Sequence, residues 1–213
     1  MNSNFAVSKI MKQDILRYLG YKVDSVVDER TNLLIDKALY EVEAISEFKY
    51  IYRRFEKPLP FMSHPAYLQY LQTEEISEAY LLVATTLGIQ IDRYLQRLTL
   101  QDMAYAAIFD TAANVCLETK ADEYEKSLEY KNLGFRFCPG YGGTPLTDNQ
   151  EIARLIRADR IGISFLQSGL MVPLKSMVGI VKIGGAALKT CEGCVAQGSC
   201  GYRKRGTFCY SEH

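Results

Sequence analysis

The stretch EAYLLVATTLG, residues 78–88, decides which kind of fold this chain can have. It is short, apolar, carries β-branched residues and stops at Gly88, which fits a buried strand; a buried helix would present the same composition. Read as a strand, it puts β-structure inside a chain whose neighbouring segments are helical. Downstream, IQIDRYLQRL (89–98) and LQDMAYAAIFDTAANVCLETKADEYEKSLEY (100–130) keep a helical pattern, and the second is long and rich in alanine. Within it Asp110, Asn114 and Glu118 stand at i, i+4 and i+8, one polar line on an otherwise apolar helix. Such a line is either a solvated edge or the wall of a polar pocket.

Upstream, Ser8 is placed to cap a helix through KIMKQDILRYLG, where Met11, Ile15 and Leu19 share a face and Gly20 supplies the stop. A second helix is expected through ERTNLLIDKALYEVEAIS, with Leu34, Ala38, Val42 and Ile45 in helical period, and Pro58 and Pro60 then break regular structure. Beyond residue 130, Thr147 and Gln150 have the spacing of a capping box for a helix in NQEIARLIRADR. Two more strands are expected, IGISFL and VGIVKIG, joined by QSGLMVPLKSM. Helices before and between a few strands, without regular alternation, predict an α+β domain with a small, mostly antiparallel sheet covered by helices. The Gly184-Gly185 pair marks the boundary between this domain, 1–185, and a cysteine-rich tail, 186–213.

The 213 residues suffice for one substantial core, and 25 basic against 25 acidic residues give no electrostatic pull toward nucleic acid or an anionic membrane. The opening MNSNFAVSKIMKQD lacks the apolar run of a signal peptide, and no segment approaches the roughly 20 apolar residues of a membrane span, so a cytoplasmic protein is expected. His64, in FMSHPAY, is expected to serve a turn, because no catalytic arrangement can be built around it.

Chemistry concentrates in FRFCPGYGGTPLTDNQ, residues 135–150. Pro139 fixes the backbone, while glycine at 140, 142 and 143 permits close approach on either side of Tyr141. Five residues before that ring, the Arg136 guanidinium is the side chain best matched to a carboxylate in two-point contact. The plainer alternative is a strand ending in a tight turn, with Arg136 in a structural ion pair.

From Arg136 to Gly184 the sequence resembles the S-adenosylmethionine-binding activation domain of cobalamin-dependent methionine synthase. Arginine followed by Pro-Gly-Tyr-Gly and then IGISFLQSGLMVPLKS, with its Ser-x-x-Met-x-Pro core, stand in that family's order, and ILRYLGY, LLVATTLG and DTAANVCLE resemble segments of its short, free-standing members. The resemblance implies S-adenosylmethionine bound by Arg136 at its carboxylate and Glu118 at its ammonium, with the backbone of Pro139 and Gly140 and the ring of Tyr141 lining it. It further implies a methyltransferase component that supports reductive methylation of a partner's cobalamin, vitamin B12, with a flavodoxin or ferredoxin as electron donor. That partner is a methionine synthase module or another corrinoid protein. The alternative is a non-enzymatic corrinoid-protein binding or electron-transfer module. Two departures stand out: Cys138 replaces a common serine, and GGAALKTCEGC runs where the long synthases have a ligand-binding tyrosine pair.

The tail sets Cys191, Cys194, Cys200 and Cys209 in C-x2-C-x5-C-x8-C. Four thiolates suit zinc or an iron-sulfur cluster, and the neighbouring Arg203, Lys204 and Arg205 would favour the thiolate form. The spacing does not choose between these metals, and four reduced thiols in a reducing cytosol remain the alternative.

Overall fold

A computed structural model of the protein describes residues 9–21, 25–71, 79–184, 198 and 200–204. Helices α1 (Lys9–Tyr18) and α2 (Glu29–Ile45) lead into strand β1 (Lys49–Phe55), followed by a short helix α3 (Pro65–Leu71) and strand β2 (Ala79–Thr86). Helices α4 (Ile89–Gln101) and α5 (Met103–Lys126) come next, then β3 (Leu133–Phe137), α6 (Asp148–Ile156), the two-residue strands β4 (Ser164–Phe165) and β5 (Met171–Val172), and β6 (Ser176–Ile183). The tail contributes one helical turn, Gly201–Lys204. No helix among the described residues is long and apolar enough to cross a membrane.

The α+β expectation holds. Four strands form an antiparallel sheet in the order β1-β2-β6-β3, and β4 pairs with β5 apart from it. Ala79–Thr86, the described part of that stretch up to Thr86, is a strand, and every residue of β2 is buried. A strand covered on both faces has no polar side to show, which is why its sequence is one apolar run. Tyr80, Leu82 and Ala84 join a core with α3, α6 and Ile180 of β6, whereas Leu81 and Val83 turn to the other face with Val181.

The helices α1, α2, α4 and α5 bury their apolar stripes in one another through Ile15, Ile35, Val42, Ile91, Phe109 and Ala113. Asp102 ends α4 and caps α5 at once, accepting the Tyr105 amide at 2.9 Å. Asp28 caps α2 in the same way through Thr31.

Four local expectations need correction. Thr147 adopts helical dihedrals and makes no capping hydrogen bond through its side chain, so the capping box is absent; Gln150 donates its amide to the Thr147 carbonyl instead. That helix ends at Ile156, where Arg157 turns left-handed at φ 60. IGISFL yields only the two-residue β4, and its partner β5 lies in the segment expected to be a connection. Ser8 and the Gly184-Gly185 boundary's second residue fall outside the described residues.

Candidate functional site

Arg136 stands near the end of β3, where strand alternation turns its side chain and that of Phe137 to opposite faces. Phe137 joins the core against Tyr67 and Tyr70. Arg136 crosses the other face toward the last turns of α5. It can do so because Gly179 of β6, two residues from its ladder partner Val181, leaves room: a Cβ there would stand 2.7 Å from the Arg136 Cγ and 3.1 Å from the Phe137 carbonyl oxygen. The guanidinium donates from Nη1 to Glu125 Oε1 at 2.5 Å and from Nη2 to Asp122 Oδ1 at 2.7 Å. Tyr50 of β1 donates its hydroxyl to the same Glu125 oxygen at 2.6 Å and stacks on Tyr124.

Burial differs sharply within this cluster. The side chains of Arg136 and Glu125 are 4% and 9% exposed, and that of Asp122 is 49% exposed. Burial pushes the Glu125 carboxyl above its ordinary pKa, against the pull of Arg136 and the Tyr50 hydroxyl. For Arg136, burial opposes the charge, but Glu125 and Asp122 outweigh it and hold the pKa above its usual range. The two directions are those of an under-neutralised cluster, in which two carboxylates share one cation. Burial, and then the Glu125 charge, raise the Tyr50 hydroxyl, so it remains a donor.

Past β3 the chain makes a compact loop. Gly140 is left-handed at φ 99, and a Cβ on it would stand 2.7 Å from Leu146 Cδ2, so the position takes glycine on both counts. The Gly140 amide donates to Thr144 Oγ1, which in turn donates to the Tyr141 carbonyl, both at 2.8 Å. Pro139 is buried beneath the loop, Gly140 is exposed, and the Tyr141 side chain projects outward with 64% of its surface open. Leu146, against which a Gly140 Cβ would stand, is 70% exposed; Leu166, Leu170 and Leu174, on the β4–β5 hairpin and just after it, are 53% to 56% exposed, and Gly169, in the turn of that hairpin, lies against Gln150 in the first turn of α6.

The polar line on α5 divides. Asp110 and Asn114 receive the buried ammonium of Lys175 at 2.7 and 2.8 Å, while Glu118 is exposed. Lys175 belongs to a fastened loop: its neighbour Leu174 donates its amide to Asp92 at 2.8 Å, and Ser176 Oγ donates to the Pro173 carbonyl. Burial lifts the Cys116 thiol, on the packed side of α5, to a pKa of about 12.

The structure thus puts Arg136, Pro139, Gly140 and Tyr141 on one strand and loop, with Glu118 one i+4 step from the Asp122 carboxylate that binds Arg136. Sequence reasoning missed Asp122, Glu125, Tyr50 and Lys175. Asp122 continues the spacing of the α5 line, and a glycine inside a strand pattern, Gly179, was a signal for close approach. His64 serves a turn, accepting the Ala66 amide at Nδ1. Cys138 is half-buried. Of the four tail cysteines, Cys200 alone is among the described residues, where no group of three or more His, Cys, Asp or Glu side chains is arranged to hold a metal.

No protein family model matches the chain, and no curated protein does. Among solved structures it is similar to one described as the crystal structure of the MetH reactivation domain bound to AdoHcy, with a TM-score of 0.57 over 91% of this chain and 76% of that one, at 15% identity. At that identity the likeness establishes a related fold.

Proposed function

We propose that the chain is an S-adenosylmethionine-binding activation subunit that supports reductive methylation of the cobalamin of a B12-dependent methionine synthase or a related corrinoid methyltransferase. The observation that carries this is the fold shared with a reactivation domain described as bound to AdoHcy, S-adenosylhomocysteine, combined with the Arg136 to Tyr141 strand and loop beside α5. In this reading Arg136 orients the ligand's carboxylate and Glu118 its ammonium. The backbone of Pro139 and Gly140 lies along the ligand, and the Tyr141 ring attracts the sulfonium.

The partner's corrinoid, after one electron from a flavodoxin- or ferredoxin-like donor, supplies the methyl acceptor. Moving a methyl group from sulfonium to that acceptor requires no proton, so the chain needs no general acid or base; its residues hold the ligand and exclude water. The exposed leucines, Leu146 beside Gly140 and Leu166, Leu170 and Leu174 of the β4–β5 segment, are the apolar surface offered to the partner. Cys191, Cys194, Cys200 and Cys209 are read with this function as a zinc or iron-sulfur site, decided by metal and sulfide analysis of anaerobically purified protein. Neither metal at one equivalent would retire that part.

The ion pairs already made by Arg136 favour a second reading, a corrinoid-protein binding or electron-transfer module that has no ligand of its own. Calorimetric titration with S-adenosylmethionine separates the two. The first predicts saturable binding at one site, weakened roughly tenfold by Glu118→Gln, the size of one charge-assisted contact. No heat of binding, either alone or beside a cobalamin-loaded methionine synthase module, would leave the second.

A further inference from the structure

The side chains of α5 carry a stripe longer than its sequence pattern first displays: Asp110, Asn114, Glu118 and Asp122 follow one another at i+4. Each step rises about 6 Å and turns about 40°, so the stripe winds by about 120° and its ends meet different parts of the sheet layer. At one end Asp110 and Asn114 hold Lys175, from the loop before β6; at the other Asp122 holds Arg136, from β3. Both ends of the stripe are therefore engaged by cations of this chain, and the residue between them, Glu118, is exposed.

The two carboxylates on Arg136 are not equivalent. Glu125 is buried, shares its oxygen with the Tyr50 hydroxyl, and binds Nη1 from beneath the helix. Asp122 is half-exposed and binds Nη2 alone. Removing Glu125 would strand a buried guanidinium without its inner partner, whereas releasing Asp122 returns a half-hydrated carboxylate to water. Only Asp122 is cheap to displace. It also lies one i+4 step from Glu118, so a ligand whose ammonium meets Glu118 brings its α-carboxylate toward the guanidinium edge that Asp122 holds.

We infer that Asp122 is a built-in competitor for the ligand's carboxylate, so that binding exchanges one carboxylate for another on Arg136 Nη2 while Glu125 stays in place. This rests on the assignment of Arg136 as the carboxylate anchor in the function proposed above. The exchange leaves the charge on the guanidinium unchanged, and it makes Asp122 a determinant of specificity. A ligand without an α-carboxylate gains nothing from displacing it, and one with an α-carboxylate must compete with it.

Two ligands separate this from a general change in the fold. S-adenosylhomocysteine carries the amino-acid moiety; 5′-methylthioadenosine keeps the adenosine thioether and lacks it. Calorimetric titrations of the full chain are expected to show Asp122→Ala binding S-adenosylhomocysteine about tenfold more tightly than the wild type, with methylthioadenosine affinity unchanged. Asp122→Glu, which keeps the competing charge, should bind both ligands as the wild type does, and melting curves check that each variant is folded. An Asp122→Ala variant that binds S-adenosylhomocysteine no better than the wild type, with methylthioadenosine still bound, would overturn the exchange. Equal tightening of both ligands would overturn it too, by locating the effect at the adenosine moiety. Failure of the wild type and both variants to bind either ligand would instead overturn the nucleoside-ligand assignment from which the inference starts.

Discussion

Adjacent residues of β3 enter two unlike environments. Phe137 faces α6 and packs among Tyr67, Tyr70 and Ile180, all buried. Arg136 faces α5 and meets a carboxylate pair and a tyrosine hydroxyl, in a cluster closed to water on its inner side and half-open on its outer side. Strand alternation makes the division possible: one ladder of four strands supports a dry core on one side and a charged, half-open cluster on the other. Apolar packing and charge pairing are thereby separated by the thickness of one sheet, and a substitution on one face should leave the other legible.

The largest effect is expected from Phe137→Ala, which empties the dry face and should cost about 4 kcal/mol in chemical denaturation while leaving the preference between S-adenosylhomocysteine and methylthioadenosine unchanged. Arg136→Ala attacks the charged face by leaving Glu125 buried without its cation, and should cost about 3 kcal/mol; the double variant Arg136→Met with Glu125→Met should recover most of that loss. If the double variant is no more stable than the single one, the cluster is not an ion pair in the energetic sense. Gly179→Ala sets a methyl group against Arg136 on the charged face, and about 2 kcal/mol is expected from the forced shift, together with loss of ligand preference because Arg136 must move.

A pH series sharpens the same comparison. The pKa of Glu125 is raised by burial, so the native protein holds this proton more tightly than the unfolded chain does. Its contribution to stability is therefore full below the ordinary carboxylate pKa and declines as pH climbs through the raised value. Denaturation midpoints followed upward from the ordinary carboxylate pKa should carry this downward component, and Glu125→Gln should remove it. The smallest effect belongs to neither face: Asp102→Ala deletes the cap of α5 and should cost about 1 kcal/mol with ligand preference intact.

How much of this was legible in the sequence follows from where each element finds its partners. The helices α1, α2, α4 and α5 announce themselves because each buries a stripe, and β2 does so because it is buried throughout. Strand β1, KYIYRRF, shows neither signal: all of its residues are exposed or half-buried, and its strand conformation comes from pairing with β2 along its whole length. Thr147 and Gln150 have the letters of a capping box, but the turn beginning at Pro145 already holds Thr147 in helical dihedrals and the box cannot close.

At the site, the loop residues could be named from composition because proline, glycine and tyrosine act locally. Arg136 was also conspicuous, and the plainer alternative of a structural ion pair describes its contacts in the structure. Its partners were hidden because they lie 11 and 14 residues earlier, on a helix whose approach to β3 is set by packing. Lys175 is the same case at greater range, 61 residues from Asn114.

Strand β1 has a further consequence for handling the protein at high concentration. Among the described residues it pairs with β2 on one side only, so its other edge presents main-chain donors and acceptors of the kind that recruit a foreign strand. Arg53 and Arg54 lie consecutively on it, exposed, and Arg53 reaches over to the Leu155 carbonyl at the end of α6. Adjacent positive charges and a side chain drawn across the edge make stacking of like chains unfavourable. Replacing both arginines with threonine should turn this margin into a seed for fibrils, visible as thioflavin fluorescence under conditions where the native sequence stays clear.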